Sequence, residues 1–164
     1  NDAAIALAEH CSGSVEAFAD LMNQTAAKLG ATQSNFVNPS GYPDENHYTT
    51  IYDMYLIFSN AISLESFVTI INSADHDASY TNASGNAVNV KFSNTCGYLS
   101  GAYEAPDGVN VVGGKTGTTH DAGYCLVLYS TNSDNERIIS IVYKADGKSN
   151  LYLLMNELLS GFAN

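Results

Sequence analysis

Apolar residues recur every three or four positions through the first part of the chain, which is the period of an amphipathic α-helix. A first helix begins at Asn1 or Asp2, either of which can cap it. Ser14 is placed to cap a second helix, and Gly30 is placed to end it. We expect the apolar positions of this second helix to belong to the core; they are Val15, Phe18, Met22, Ala26 and Leu29.

Two further helices are predicted after a loop at 35–44, which is dense in turn residues. The third helix begins after Thr49 or Thr50, and Asp53 is placed to complete a capping box. Ser63 is expected to cap a short fourth helix. The apolar positions of these two helices are Ile51, Met54, Tyr55, Phe58, Ile62, Phe67, Ile70 and Ile71.

The pattern changes its period beyond the fourth helix, where β-branched and aromatic residues indicate strands. The predicted elements are a hairpin of 76–81 and 87–92, strands near 122–131 and 137–144, and a last helix at about 148–162. Helices first, strands later and a closing helix are typical of an α+β fold with an antiparallel sheet. We expect one domain over 1–164, with a helical part at about 1–73 and a sheet part at about 76–164.

Gly113 to Thr119 reads Gly-Gly-Lys-Thr-Gly-Thr-Thr and places one cation beside three hydroxyls. A strand-like segment follows it, so Lys115 and its threonines are expected on extended chain at a sheet margin, where they can hold an anionic group. A nucleotide-binding P-loop would need a glycine at Val109 and a helix afterwards, and both are missing. A purely structural glycine-rich turn remains an alternative for this stretch taken alone.

Charge and composition exclude several classes of partner. The net charge is −11 and the chain has only six Lys and Arg, which argues against a nucleic-acid ligand. Neither the cysteines nor the histidines have metal-ligand spacing, so we expect no metal site and no cofactor. Three cysteines leave at least one thiol unpaired, and Cys125 is expected to be buried within a strand. No apolar run is long enough to span a bilayer.

Three blocks together resemble the D-alanyl-D-alanine carboxypeptidases, which are low-molecular-weight penicillin-binding proteins and serine DD-peptidases. The order and approximate spacing of the blocks agree over nearly the whole chain. The blocks are Asn35-Phe36-Val37-Asn38-Pro39-x-Gly41, then Asn46-His47-Tyr48-Thr49-Thr50-x-x-Asp53-Met54, and then Gly114-Lys115-Thr116-Gly117 with Ala122-Gly123-Tyr124.

The family has three motifs, Ser-x-x-Lys, Ser-x-Asn and Lys-Thr-Gly. The last corresponds to Lys115-Thr116-Gly117. Asn1-Asp2-Ala3 resembles the end of the second, so Asn1 is expected to be its asparagine. No serine in the sequence is followed by a lysine three residues later. The resemblance therefore implies a penicillin-binding fold truncated at its N-terminus, in a fragment that lacks the nucleophile and is itself inactive.

The resemblance also implies the chemistry. The nucleophilic serine would attack the bond between two D-alanines of a peptidoglycan stem peptide, and β-lactams would acylate the same serine. Asn1, Lys115 and Thr118 are the expected catalytic residues, and Lys115, Thr116, Gly117 and Thr118 the expected substrate-binding residues. The backbone N–H of Thr118 would form half of an oxyanion hole.

Two residues that match family positions are interpreted as structural, and one arginine of the family has no counterpart in this sequence. His47 and Asp53 match family positions, but a turn and a capping box explain them without catalysis. The arginine that such carboxypeptidases often carry near 142–148 is absent. Lys144 or Lys148 is a candidate for its replacement, as a point charge without the bidentate geometry of arginine.

The resemblance leaves two function hypotheses open. One is an extracytoplasmic peptidoglycan carboxypeptidase, and the other is a catalytically silent relative that binds peptidoglycan stems or a partner protein. We also expect this chain by itself to expose a strand edge near Ile138 to Val142, or that of a neighbouring strand, and the apolar faces of the first two helices. It is therefore expected to self-associate, or else to carry its missing half as a separate chain.

Overall fold

A computed structural model describes residues 1–163 and confirms the α+β prediction with antiparallel sheets. The elements are α1 (Asp2–Ser12), α2 (Val15–Lys28), α3 (Ile51–Ala61), α4 (Glu65–Asn72), β1 (Asp75–Thr81), β2 (Ala87–Ser93), β3 (Asn110–Thr119), β4 (Gly123–Thr131), β5 (Arg137–Ala145) and α5 (Lys148–Ser160).

The first two helices form a pair with limited burial. The Ser14 side chain accepts a hydrogen bond from the N–H of Ala17, as its predicted capping role requires. Gly30, with φ of 86°, takes the left-handed conformation after α2. The prediction that the apolar face of α2 is core holds fully only for Ala26. Half-buried positions on that face are Val15, Phe18, Met22 and Leu29.

The caps of α3 and α4 differ in part from the prediction. Thr50 accepts a hydrogen bond from the N–H of Asp53 and caps α3. The Asp53 carboxylate does not complete a capping box, because it instead accepts hydrogen bonds from Gln33 and Ser34. Ser63 does not cap α4, whose N-cap is Leu64, since the Ser63 hydroxyl donates to the carbonyl of Asn60 at the end of α3.

A three-stranded antiparallel sheet in the order β3-β4-β5 forms the centre of the second half. Alternate residues of β4 face opposite sides of this sheet. Leu126 and Leu128 pack in a core with Leu151, Met155 and Leu159 of α5. On the other side Val127 and Tyr129 pack against residues of α3 and α4, among them Phe58 and Ile71. The sheet is therefore covered by α5 on one face and by α3 and α4 on the other.

Strands β1 and β2 form a separate two-stranded sheet, paired from Asp75↔Ser93 to Thr81↔Ala87, in agreement with the predicted hairpin. All three cysteines are free thiols. Cys125 is only half-buried, which corrects the expectation of a buried side chain, because its position near the start of β4 precedes the fully covered part of the strand.

In the part of the chain that the structure describes, no single helix has both the length and the apolar character to cross a membrane. Helices α3 and α4 have the necessary length and apolar character only when they are taken together, and the angle between them is 106°.

Candidate active site

The Lys-Thr-Gly segment lies on β3, at an edge of the three-stranded sheet. Lys115 is paired with Val127, and Gly117 with Cys125, across the β3–β4 ladder. The predicted position on extended chain at a sheet margin is therefore confirmed. In the described residues 1–163, β3 has a strand neighbour on one side only, so its other side is accessible to a ligand along part of its length.

The glycines of this stretch have different structural roles. A Cβ atom on Gly113 would lie 2.4 Å from the Ile71 carbonyl oxygen, and one on Gly114 would lie 2.4 Å from the Val127 carbonyl oxygen. Packing within the chain thus requires these two glycines. A Cβ on Gly117 would meet no atom within 4 Å. The space beside Gly117 is open, and this is the position in the stretch where another molecule can approach the backbone.

Thr116 and Thr118 lie two residues apart, so their side chains share one face of β3. Both line a cavity of about 230 Å³ at the junction of β3, β4 and α5. The full lining is Thr95, Thr116, Thr118, Tyr124, Lys148, Leu151 and Tyr152. Three threonine hydroxyls, one ammonium group and a wall of Leu151 and two tyrosines form a site suited to a small anion attached to an apolar body.

Tyr152 forms a rigid part of the cavity wall. Its hydroxyl accepts a hydrogen bond from the N–H of Gly97 at 2.6 Å, and its ring stacks on Tyr103 with 3.8 Å between ring centroids. Burial raises the pKa of the Tyr152 phenol, so its hydroxyl stays neutral at physiological pH. A Cβ on Gly97 would lie 2.5 Å from the Tyr103 ring and 2.8 Å from the Tyr152 ring, so only glycine fits there.

Lys148 is the cation that the structure brings to this cavity, at the first residue of α5. Of the two lysines considered in place of the missing arginine, only Lys148 lines the cavity. Lys144 is exposed and has a φ of 60°, a left-handed backbone conformation. Sequence spacing alone left the choice open, because the two lysines are only four residues apart.

Lys115 and Asn1 lie outside the lining of this cavity. Lys115 is exposed, and its ammonium group donates to the carbonyl oxygen of Thr116. Asn1 is the exposed N-cap of α1, where its side chain makes no capping hydrogen bond. The structure therefore groups Thr116 and Thr118 with Lys148, while the side chains of Lys115 and Asn1 are available for other contacts.

Four cavity residues were not singled out by the sequence. Thr95 follows β2, Tyr124 lies on β4, and Leu151 and Tyr152 lie on α5. Tyr124 belonged to a block quoted for the family resemblance, but no role was assigned to it. Thr95 had no signal, because its position beside Thr116 depends on contacts 21 residues apart in sequence.

His47 and Asp53 both have structural partners, although those of Asp53 are not the ones of the predicted capping box. Asp53 is only 2% exposed, and its carboxylate accepts the N–H of Gln33 at 2.7 Å and the hydroxyl of Ser34 at 2.6 Å. Nδ1 of His47 accepts the N–H of Val37 at 3.2 Å. Burial lowers the pKa of His47, and nearby Asp44 partly opposes that effect. Within residues 1–163, no group of three His, Cys, Asp or Glu side chains could hold a metal ion.

Comparison with known protein families identifies the family to which this chain belongs. The D-alanyl-D-alanine carboxypeptidase family model matches residues 1–147. The chain belongs to that family. Its relatives include the D-alanyl-D-alanine carboxypeptidase DacA of Haemophilus influenzae, 34% identical over 165 residues, and DacF of Bacillus subtilis, 35% identical over 146 residues. These matches cover 100% and 88% of this chain.

Solved structures show the same fold. Penicillin-binding protein 5 from Haemophilus influenzae superposes with a TM-score of 0.81 at 36% identity, covering 100% of this chain and 44% of that one. A mutant of the Streptomyces K15 DD-transpeptidase gives a TM-score of 0.86 at 26% identity, covering 97% and 61%. The chain spans only 39% of the length of the Haemophilus DacA and 34% of that of the Bacillus DacF.

Proposed function

We propose that the full-length protein containing this sequence is a serine-type D-Ala-D-Ala carboxypeptidase that trims peptidoglycan stem peptides. The sequence would form the C-terminal part of its catalytic domain. The observation that supports this proposal is the cavity at β3, in which the hydroxyls of Thr116 and Thr118 lie with the ammonium group of Lys148, in a chain of the carboxypeptidase family. A stem peptide ends in a carboxylate next to small methyl groups, and this lining matches both.

The reaction would be acyl transfer through a covalent intermediate. The hydroxyl oxygen of a serine, in a Ser-x-x-Lys segment outside these 164 residues, attacks the carbonyl carbon between the two D-alanines. The proton of the serine hydroxyl is transferred to the amide nitrogen, the carbon–nitrogen bond breaks, and the terminal D-alanine leaves as a free amine while the rest of the peptide stays bonded to the serine oxygen as an ester. Water then hydrolyses the remaining ester and regenerates the serine.

The residues on β3 and α5 would recognise the substrate carboxylate. Thr116 and Thr118 donate hydrogen bonds, and Lys148 contributes a positive charge in place of an arginine. Lys115 holds a positive charge near the carboxylate and the reacting groups, and the backbone N–H of Thr118 stabilises the oxyanion. Asn1 contacts the substrate's amide groups. In a chain with net charge −11 and six Lys and Arg, Lys148 in the cavity lining and Lys115 next to Thr116 in sequence favour an anionic ligand.

The proposed substrate implies the compartment in which the protein acts. Peptidoglycan lies outside the cytoplasmic membrane, so the protein would act in an extracytoplasmic compartment. β-Lactams carry a carboxylate and a strained amide, and they would occupy the same site and acylate the same serine.

Intact-mass analysis after exposure to a penicillin tests this function directly. The full-length protein should gain the mass of one penicillin, whereas the 164-residue chain by itself should gain none, because it lacks the nucleophile. In the full-length protein, Lys115→Ala should slow acylation at least tenfold, a loss of about 1.4 kcal/mol or more of transition-state stabilisation.

The matched control is Lys28→Ala, which removes the same charge at an exposed position on α2 and should leave acylation unchanged. A full-length protein that gains no adduct would instead support the catalytically silent relative. An adduct on the 164-residue chain would contradict the assignment of the nucleophile to a segment outside it.

A further inference from the structure

Thr95 lines the cavity from a loop that belongs neither to the central sheet nor to α5. Its hydroxyl oxygen lies 2.6 Å from that of Thr116, so the two hydroxyls share one hydrogen bond in which either can be the donor. Two hydroxyl groups carry two hydrogens, and their mutual bond uses one of them. The pair therefore has one hydrogen left to offer to a ligand.

The loop that carries Thr95 is fixed on both sides of it. The Asn94 side-chain amide donates to the carbonyl oxygens of Ile71 and Ser73 at the end of α4, and its oxygen accepts the N–H of Cys96. On the other side Cys96 is fully buried, and the N–H of Gly97 donates to the Tyr152 hydroxyl on α5. Neighbours of Thr95 are thus attached to two different helices, which holds its hydroxyl beside β3.

We propose that Thr95 is a positioning residue that sets the direction of the Thr116 hydroxyl hydrogen. A carboxylate accepts hydrogen bonds and donates none, so Thr116 must donate to it. Thr116 can do so while keeping its bond to Thr95 only when Thr95 is the donor in that bond. Thr95 then donates to Thr116, and Thr116 donates to the carboxylate, in a chain in which each bond polarises the next.

This inference rests on the proposed function, since it assumes that the cavity binds the carboxylate of a substrate or a β-lactam. It adds to that function a residue outside the three family motifs. It also gives a reason for the fixed loop after β2, because an unanchored hydroxyl would have to be ordered each time a ligand binds.

The test compares acylation of the full-length protein by a penicillin free acid and by the methyl ester of the same penicillin. Thr95→Val keeps the shape of the side chain and removes its donor. It should slow acylation by the acid about threefold to tenfold, the effect of one net hydrogen bond, and leave acylation by the ester within twofold. Thr95→Ser should restore the acid rate. Thr81→Val, at an exposed position on β1, is the matched control and should leave both rates unchanged.

Each alternative outcome has a separate meaning. An equal loss with acid and ester, or a failure of Thr95→Ser to restore the acid rate, would overturn the positioning role and leave the proposed function intact. An unmodified protein that neither compound acylates would overturn both. If the ester reacts too slowly for its acylation rate to be measured, the positioning role is tested by how the acylation rate depends on the concentration of the acid. The role then requires Thr95→Val to raise the half-saturating concentration while the limiting rate stays within twofold.

Discussion

Gly117 is the glycine of the β3 stretch that the packing of this chain does not explain. At Gly113 and Gly114 a Cβ atom would collide with carbonyl oxygens of neighbouring segments, whereas at Gly117 it would meet open space. Its φ also lies outside the left-handed region that favours glycine. Because neither packing nor backbone conformation requires this glycine, we propose that a ligand comes close to β3 at Gly117.

We therefore expect Gly117→Ala to leave the fold intact but to slow acylation of the full-length protein by a penicillin about tenfold or more. The added methyl group would occupy space needed by the ligand. Gly113→Ala is the comparison variant, and it should lower the free energy of unfolding by about 1–3 kcal/mol because its methyl group meets backbone. Thermal unfolding measures the stability of both variants, and acylation kinetics measure their reaction with the penicillin. An unchanged acylation rate in Gly117→Ala would refute a ligand contact there.

At the scale of elements, the N-terminus of α3 organises the loop that precedes it. The Asp53 carboxylate holds Gln33 and Ser34, and the Ser34 hydroxyl lies 2.8 Å from that of Thr49. His47 accepts the N–H of Val37, and its ring meets the Phe36 ring edge-on at 5.6 Å. This loop is therefore closed by polar side chains, with a neutral imidazole as one of the acceptors.

The lowered pKa of His47 predicts a pH-dependent stability. In the folded state the imidazole loses its proton more readily than in the unfolded state, where its pKa is about 6.5. The unfolded state then binds more protons between the two pKa values. The free energy of unfolding should be fully retained above that unfolded pKa and should fall as the pH drops from it through the folded pKa.

Chemical unfolding between pH 5 and 8 measures this effect. His47→Asn keeps an acceptor near the position of Nδ1 but does not titrate, so it should reduce the slope of stability with pH. His76→Asn, at an exposed position on β1, is the control that should keep the slope. A slope that is identical in His47→Asn and the unmodified protein would show that His47 does not cause it.

At the scale of the whole molecule, the central sheet has a second open edge at β5, opposite the β3 edge that carries the site. Among the described residues β5 pairs only with β4, so its outer edge presents free N–H and C=O groups. A largely apolar groove of about 350 Å³ lies beside this edge, lined by residues of β5 and α5 and by Ile51 of α3. The half-buried apolar face of α2 adds a second apolar surface.

We expect the 164-residue chain by itself to self-associate, because an open strand edge next to apolar surface favours pairing with a second copy. Light scattering should give a mass above 17.5 kDa that grows with concentration. Ile141→Lys places a charge in the groove and should shift the population towards the monomer. A strictly monomeric chain at high concentration would contradict this expectation.

The sequence by itself determined the order and type of the helices, of the hairpin and of the last two strands, and it predicted that Lys115 and its threonines lie on extended chain. The periods of helices and strands depend on neighbours within a few residues, and so do the Ser14 and Thr50 caps and the connection of the hairpin at 82–86. These features can therefore be recognised locally. The Lys115-Thr116-Gly117 motif was visible for the same reason, and the blocks around it predicted the family.

Only the tertiary structure decided which side chains share the site and where buried charges find partners. Lys148 reaches the cavity because α5 packs across the sheet beside β3, and Thr95 reaches it because its loop is attached to α4 and α5. Asp53 turns away from its own cap towards Gln33, since a buried carboxylate is stabilised by the donors that the folded chain places around it. Such contacts join residues that are distant in sequence, and no local period or propensity specifies them.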